Sequence, residues 1–277
     1  MSTQLKKTAF ISGGAKGIGL AVAKAFIAEG INACIVDVDR ASGEAIQSIF
    51  CKEELLFIEA DVSKADDVQK AVNQCAAHFG RVDFLVNNAG IQRYSNAMNC
   101  TEEEWDLVMG TNLKSYFLCT KYCLPLILEG GGGCIVNVAS VQSFVATANA
   151  VHYVTAKTAL LGFTRSVAVD FAPSVRCVAV CPGTVYTPMV VDSWAQAADP
   201  SLIEQESINM HLVKRVAQPA EIADLVVYLC SPKATFITGQ SFRIDGGIGV
   251  GIPGSVKEEQ KKKENGVNGM LKVKSKK

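Results

Sequence analysis

The sequence predicts one α/β domain built on a doubly wound parallel sheet with helices on both faces. Three observations lead to this prediction: short apolar runs alternate with stretches of helical period, several runs are apolar along their whole length, and a glycine-rich turn follows the first of them. Continuous apolar strands are typical of parallel sheets that are covered on both faces. A chain of 277 residues with 49% hydrophobic and 19% charged residues can bury such a core.

The first unit of the alternation is a strand, a glycine turn, a helix and a second strand that ends in an acid. The apolar run 8–12 leads into Gly-Gly-Ala-Lys-Gly-Ile-Gly at 13–19, a helical stripe follows, and the run 31–37 ends at Asp37. Glycines let a backbone approach a pyrophosphate, and a helix N-terminus offers it free N–H groups. The unit is typical of a Rossmann-type dinucleotide site, in which Asp37 would meet the adenosine ribose. A phosphate loop of the NTPase type is excluded, because Leu20 stands where its lysine would be.

The remaining elements continue this alternation, and their ends carry polar or small residues. In parallel sheets, ligands bind beyond the carboxyl ends of the strands. We therefore expect the residues at those ends to converge on one crevice, namely Asp37, Asp61, Asn88, Ser140 and Pro182-Gly183. The predicted strands are 55–62, 82–90, 134–140, 175–183 and 240–247, and the predicted helices are 65–79, 102–118, 119–128, 153–171 and 219–230.

Tyr153 and Lys157 are four residues apart in a helical stretch, so their side chains share one face. A free phenol has a pKa of about 10 and is a poor base at neutral pH, whereas a neighbouring ammonium favours the phenolate. Such pairs are common by chance. This pair indicates a functional site only because the strand that ends at Ser140 precedes the helix and places its start at the same crevice. Together they indicate a proton-transfer site beside a dinucleotide.

Composition excludes several other classes of protein. No apolar run approaches 18 residues, the ten cysteines include no Cys-x-x-Cys pair, and the three histidines have no ligand spacing. We expect a reduced, cytoplasmic protein with no metal site and no membrane partner. Residues 1–252 are predicted to form the domain, and residues 253–277, with eight Lys and three Glu, a basic disordered tail. The rest of the chain is then mildly acidic, which gives no reason to expect nucleic-acid binding.

These motifs together make the chain resemble the short-chain dehydrogenase/reductase family over residues 8–250. The family's Thr-Gly-x-x-x-Gly-x-Gly corresponds to residues 12–19, where Ser12 keeps the hydroxyl of the usual Thr, and its Asn-Asn-Ala-Gly stands at 87–90. Its Tyr-x-x-x-Lys pair corresponds to Tyr153 and Lys157. So many motifs, in order and at the family's spacing, make chance similarity negligible.

The resemblance implies four catalytic residues. The family's serine lies 13 residues before its tyrosine, which selects Ser140 over Ser143, and its helical asparagine corresponds to Asn112. Tyr153 would be the general acid/base at the substrate oxygen, and Ser140 would hydrogen-bond that oxygen. Lys157 would lower the pKa of Tyr153 and bind ribose hydroxyls. Asn112 would hold a water that links Lys157 to solvent.

The resemblance also implies the residues that bind the cofactor, whose nicotinamide carries the hydride. We expect NAD rather than NADP, because the Asp37 carboxylate would repel a 2′-phosphate; Lys16 and Arg40 would favour NADP if either reached that phosphate. Asp61 and Val62 would flank the adenine, and the segment 182–187 would cap the nicotinamide. The expected cofactor-binding residues are Ser12, Gly13, Lys16, Gly17, Ile18, Gly19, Asp37, Asp61, Val62, Asn88, Ala89, Gly90, Tyr153, Lys157, Pro182, Gly183, Val185 and Thr187.

The substrate is the least determined part, and residues 188–215 correspond to the mobile lid that shapes its pocket in the family. Finer similarities point to members acting on sugars or polyols and to members acting on small hydroxy acids such as 3-hydroxybutyrate. We favour a sugar or polyol, because Gln142 and Asn149 suit a hydroxyl-rich substrate, whereas Lys214 or Arg215 would hold a carboxylate. The expected substrate-binding residues are Ser140, Gln142, Asn149 and Tyr153.

Other functions remain as alternatives: a carbonyl reductase of hydrophobic ketones, and a non-catalytic dinucleotide-binding sensor or scaffold. Proteins of the second kind tend to lose the Tyr or the Lys, and both are present here. The resemblance further implies a homodimer or homotetramer assembled through the helices containing 102–128 and 153–171. Light scattering would report the mass of that assembly.

Overall fold

The computed structural model describes residues 5–250, and the predicted basic tail at 253–277 lies outside them. Seven parallel strands form one sheet in the order β3-β2-β1-β4-β5-β6-β7. Their bounds are β1 Thr8–Ser12, β2 Asn32–Asp37, β3 Leu55–Glu59, β4 Phe84–Asn87, β5 Gly133–Val138, β6 Val175–Pro182 and β7 Ser241–Ile244. The predicted Rossmann-type doubly wound sheet is confirmed.

Helices cover both faces of this sheet, and side chains alternate between the two along each strand. On β1, Ile11 packs with the cluster that includes Phe26 and Ile222, while Phe10 packs with the opposite cluster, which includes Val68 and Ile127. Every residue of β1 is buried, as expected of a strand with helices on both sides. The helices are α1 Gly17–Ala28, α2 Arg40–Gln47, α3 Ala65–Phe79, α4 Glu102–Met109, α5 Ser115–Glu129, α6 Val151–Phe171, α7 Pro188–Ala195, α8 Pro200–Met210 and α9 Pro219–Cys230.

Strand β3 and the strand at 84–87 end earlier than predicted, because the residues beyond them, at 60–62 and 88–90, line the space above the sheet. The strand at 241–244 is also shorter than predicted. Helix α2 has no counterpart among the predicted elements. Its sequence is polar and contains Gly43. A methyl group there would lie 2.1 Å from the Phe57 ring, so glycine lets the helix pack this closely on β3 with the ring in its present position. Asp39 caps it by accepting the N–H of Ser42 at 3.0 Å.

The predicted helical region 102–128 is interrupted. Helix α4 ends at Met109, residues Gly110–Lys114 form a π-helical turn, and α5 begins at Ser115. The predicted boundary between residues 118 and 119 is therefore wrong: the break comes earlier, at the turn that contains the buried Asn112. A π-turn of this kind often marks a functional site.

Among the helices of residues 5–250, none combines the length and the apolar character needed to cross a bilayer.

Candidate active site

A cavity of about 680 Å³ runs along the carboxyl ends of the strands. It is bounded by the turns that follow β1 to β6, by the start of α6 and by the segment that leads into α7. The predicted convergence of strand ends on one crevice is thus observed. Most of the predicted cofactor-binding residues line this cavity, namely Gly13, Lys16, Gly17, Ile18, Asp37, Asp61, Val62, Asn88, Ala89, Gly90, Tyr153, Lys157, Pro182, Gly183, Val185 and Thr187.

Ser12 and Gly19 do not line the cavity, and they act one layer below it. The Ser12 hydroxyl accepts the N–H groups of Asn88 and Ala89 at 3.0 and 3.2 Å, and the Asn88 amide donates to the Gly13 carbonyl at 2.8 Å. A methyl group on Gly19 would lie 2.1 Å from the Gly13 carbonyl oxygen. These contacts hold the glycine turn flat against β4, so the open N-terminus of α1 faces the cavity. The turn therefore fits a pyrophosphate.

Asp37 ends β2 at the edge of the cavity, and backbone groups hold its carboxylate. Its two oxygens accept the N–H groups of Ala15 and Asp39 at 3.1 and 3.0 Å. The ammonium of Lys16 forms an ion pair with Asp39 and lowers the pKa of that carboxyl to about 2. Arg40 pairs with Glu44 and Glu59, at 2.8 and 3.7 Å. Both cations considered for a 2′-phosphate are therefore already engaged by acids.

Asn112 lies in the π-turn with its side chain fully buried, behind the wall of the cavity. Its amide oxygen accepts the N–H of Ile91 and its amide nitrogen donates to the Ile91 carbonyl, both at 2.8 Å. Both ends of the amide are thus used to fix the loop after β4. The contacts observed for Asn112 are structural, and its role with a water stays a prediction.

The two candidate serines after β5 have different surroundings. Ser140 lines the cavity, and its hydroxyl accepts the N–H of Gln142 at 3.1 Å. Ser143 is turned away and donates its hydroxyl to the carbonyl of Lys157 at 2.7 Å. The choice of Ser140 over Ser143 therefore agrees with their positions.

Lys157 is 3% exposed, and its ammonium donates to the Val138 carbonyl at 2.8 Å and to the Tyr116 hydroxyl at 3.1 Å. Burial lowers the pKa of Lys157 to about 7. Burial also raises the pKa of Tyr153 to about 12, although hydrogen bonding with Ser140 works in the other direction. The ammonium of Lys157 lies 5.8 Å from the centre of the Tyr153 ring, and its effect on the pKa of Tyr153 stays a prediction.

The expected lid forms two helices, α7 and α8, and only the first borders the cavity. Met189 and Asp192 of α7 line it, and Ser193 shares a hydrogen bond of 2.7 Å with the Tyr94 hydroxyl, which joins the lid to the loop after β4. His211, at the end of α8, is buried; its ring contacts the Ser207 carbonyl and accepts the N–H of Thr184. The His211 ring therefore links the end of α8 to the segment that follows β6.

The structure brings Ser140 and Tyr153 to the cavity but not the other two expected substrate-binding residues, whose role with a substrate stays a prediction. Gln142 and Asn149 do not line the cavity: Gln142 accepts a hydrogen bond from Thr147 at 3.0 Å, and Asn149 is exposed in a left-handed turn with φ of 56°. Lys214 and Arg215 also lie elsewhere. Lys214 donates to a carbonyl of α8, and Arg215 is paired with Glu221 through two bonds of 2.7 Å.

Several residues of the cavity wall have no strong signal in the sequence. Ile91 and Thr111 are direct neighbours of recognisable motifs, at 87–90 and at Asn112, and could have been found by adjacency. Arg93 and Leu107 could not, since a loop arginine and an exposed helical leucine are ordinary surface residues. All four line the cavity.

Comparisons with known proteins agree with this geometry. A family model described as "Enoyl-(Acyl carrier protein) reductase" matches residues 13–249. Dehydrogenase/reductase SDR family member 6 from Aquarana catesbeiana is 34% identical over 243 residues, which cover 87% of this chain and 96% of that protein.

Solved structures share the fold at similar identity. Ligand-free aldohexose dehydrogenase from Thermoplasma acidophilum superposes with a TM-score of 0.84 at 34% identity, covering 91% of this chain and 98% of that one. The 3-ketoacyl-(acyl-carrier-protein) reductase from Brucella melitensis, complexed with NADH, gives 0.80 at 32% identity, with 87% and 97% covered. These two similar structures carry names with different substrates.

The buried lysine predicts an unusual dependence of stability on pH. In the unfolded chain Lys157 keeps its proton up to about pH 10.5, whereas in the folded protein it loses the proton near pH 7. The unfolded state thus binds more protons between these values, and raising the pH from 7 to 9 stabilises the fold through this group by about 2 kcal/mol. Urea unfolding at both pH values would measure it. Lys157→Met should lose this increment, and the exposed-lysine control Lys24→Met should keep it; equal increments in wild type and Lys157→Met would contradict the prediction.

Proposed function

The chain belongs to the short-chain dehydrogenase/reductase family and is an oxidoreductase acting on CH–OH groups, and on that basis we propose that it uses NAD to interconvert a secondary alcohol and its carbonyl, with a sugar or polyol as substrate. One observation carries the proposal: Ser140, Tyr153 and Lys157 line the same cavity as the glycine turn and Asp37. A group that moves a proton and a site for a hydride carrier therefore lie side by side.

Tyr153 acts on the substrate oxygen as the general acid/base. With its pKa raised to about 12, the phenol is protonated at neutral pH, which is the form that donates a proton during carbonyl reduction. Ser140, at the end of β5, donates a hydrogen bond to the same oxygen as charge develops on it. A bound nicotinamide supplies the hydride chemistry.

Lys157 and Asn112 act behind this pair. The amino group of Lys157 is fixed at the end of β5, where it binds ribose hydroxyls and, in its protonated form, counters negative charge on the phenol oxygen. Asn112 holds the loop after β4 through Ile91, and in the proposed role it also places a water between Lys157 and solvent.

Removal of the phenol hydroxyl is the direct test of the chemistry. Tyr153→Phe should lower kcat by at least about a hundredfold, since it removes the general acid/base, while NADH still binds. Steady-state kinetics and NADH fluorescence titration would measure the two effects. Tyr228→Phe, at an exposed tyrosine of α9, should leave both unchanged. Substantial residual kcat in Tyr153→Phe would refute the assignment.

The preference for NAD follows from the charges around the end of β2. Asp37 places a carboxylate at the cavity edge, and the nearby cations Lys16 and Arg40 are paired with acids. A 2′-phosphate would meet a negative charge there without a free cation to offset it.

Wild-type enzyme should therefore show a kcat/KM for NAD more than tenfold above that for NADP. Asp37→Asn should lower the ratio of kcat/KM for NAD to that for NADP by about tenfold, because it removes the repulsion between the carboxylate and the 2′-phosphate. Asp66→Asn, which neutralises an acid in the first turn of α3, serves as the control and should not change it. An NADP preference above tenfold in the wild type would exclude the proposal.

Two substrate classes remain in competition. The sugar or polyol rests on the similarity to aldohexose dehydrogenase. A small hydroxy acid is favoured by one observation: Arg93 lines the cavity and, within residues 5–250, pairs with no acid. We expect higher kcat/KM on aldoses and polyols than on hydroxy acids or hydrophobic ketones in a substrate panel. Higher kcat/KM on hydroxy acids, together with loss of that activity in Arg93→Gln, would identify a hydroxy acid as the substrate.

A further inference from the structure

Helix α6 begins without an ordinary side-chain cap. The residue before it is Ala150, which offers no acceptor, and Tyr153 is the third residue of the helix. The first N–H groups of a helix have no carbonyl partner within it, and an N-cap Ser, Thr, Asp or Asn often accepts from the third. The N–H of Tyr153 is instead donated to Nδ1 of His152, at 2.8 Å. The residue next to the reactive phenol therefore supplies the acceptor that Ala150 lacks.

The other ring nitrogen of His152 joins a chain of hydrogen bonds that leads to α4. Nε2 lies 3.3 Å from the Ser95 hydroxyl, and that hydroxyl donates to the Glu104 carboxylate at 2.6 Å. Because the hydroxyl proton points at the carboxylate, the Ser95 oxygen is free to accept from Nε2–H. Every donor in the chain then has one acceptor, provided that His152 is the neutral tautomer with its proton on Nε2.

Backbone hydrogen bonds also anchor this network of side chains at the starts of α6 and α4. The Ser95 carbonyl accepts the N–H of Val151 at 3.4 Å, and the N–H of Glu104 is donated to the hydroxyl of Thr101, which caps α4. Two N–H groups in the first turn of α6 thus have acceptors: Ser95, outside the helix, accepts from Val151, and His152, within it, accepts from Tyr153. His152 is fully buried, so water does not compete for its ring nitrogens.

We propose that His152 is a positioning residue for the reaction: it caps the first turn of α6 through Nδ1 and, through Ser95 and Glu104, fixes the backbone from which the Tyr153 phenol projects. The inference rests on the proposed role of Tyr153 as the general acid/base. Displacement of a reacting group by about 1 Å can lower a rate by about a hundredfold, so a frayed first turn would affect kcat more than binding.

The same cluster also has the composition of a metal site. Donor atoms of Cys100, Glu104 and His152 all lie within 4.8 Å of one another. A metal bound at Nε2 would require the ring proton to be on Nδ1, yet Nδ1 accepts the N–H of Tyr153. The cluster is therefore assigned to hydrogen bonding. Stoichiometric Zn²⁺ uptake by the wild-type protein, lost in His152→Asn, would overturn this assignment.

Two substitutions at His152 distinguish the roles of its two ring nitrogens. Asparagine places its amide oxygen near the position of Nδ1, so His152→Asn keeps the acceptor for Tyr153, whereas glutamine reaches the position of Nε2 and loses it. We expect kcat within about threefold of wild type for His152→Asn and at least about tenfold lower for His152→Gln, with the NADH Kd unchanged in both. His78→Gln, at an exposed histidine of α3, is the control and should change neither. A kcat for His152→Gln within threefold of wild type, or an equal loss in His152→Asn, would overturn the proposal.

A measurement on the wild-type protein does not depend on how the variants fold. Long-range ¹H–¹⁵N NMR correlations of the His152 ring should show the tautomer with its proton on Nε2, and a proton on Nδ1 would overturn the cap. Failure of the proposed function looks different: Tyr153→Phe would keep its kcat while the tautomer is still the one expected. Failure of the cap alone would leave Tyr153→Phe inactive with the other tautomer.

Discussion

A desolvated ammonium joins the sheet of this protein to the helix that bears its reactive phenol. Lys157 reaches from α6 to the carbonyl at the end of β5, and Ser143 returns a hydrogen bond from the segment after β5 to the backbone of that lysine. Below them, the buried amides of Asn87 and Asn137 connect β4 and β5 to Thr164 of α6, with bonds of 2.9 and 3.0 Å. Burying a charge in this way is unfavourable, and it is tolerated because polar partners surround it. The site is therefore held at a cost to stability, as is common where chemistry needs a perturbed pKa.

Electrostatics at the opposite end of the cavity follow a different rule. Asp37, Asp39 and Lys16 are partly exposed, and their arrangement is set by backbone N–H groups and by one ion pair. Charge is arranged there for recognition and is accessible to solvent, whereas charge at Lys157 is arranged for reactivity and is sealed from it. Water thus screens the charges at the Asp37 end of the cavity but not the charge at the Lys157 end. This difference suits a long ligand with a polar end and a reacting end.

Much of this could be predicted from the sequence, because strand ends of a parallel sheet converge and because residues four apart share a helix face. The glycine turn, Asp37, Ser140, Tyr153 and Lys157 all follow from those two rules. Where the chain is irregular, spacing carries less information. Gln142 and Asn149 are close to Ser140 and Tyr153 along the chain, but the turn between β5 and α6 carries them away from the cavity. The cap formed by His152 depends on the orientation of a ring, which no sequence pattern specifies.

The π-turn at Gly110–Lys114 has a consequence for how this chain relates to others. Such a turn holds one residue more than an α-helical turn, so α5 is out of phase with α4 by about 100°. Insertion of one residue into an unbroken helix would produce this offset, and loss of one residue here would rotate Asn112 out of its contact with Ile91. Within 102–129, a gap of one position should therefore separate relatives that have this arrangement from those that do not, even where every side chain around it is the same.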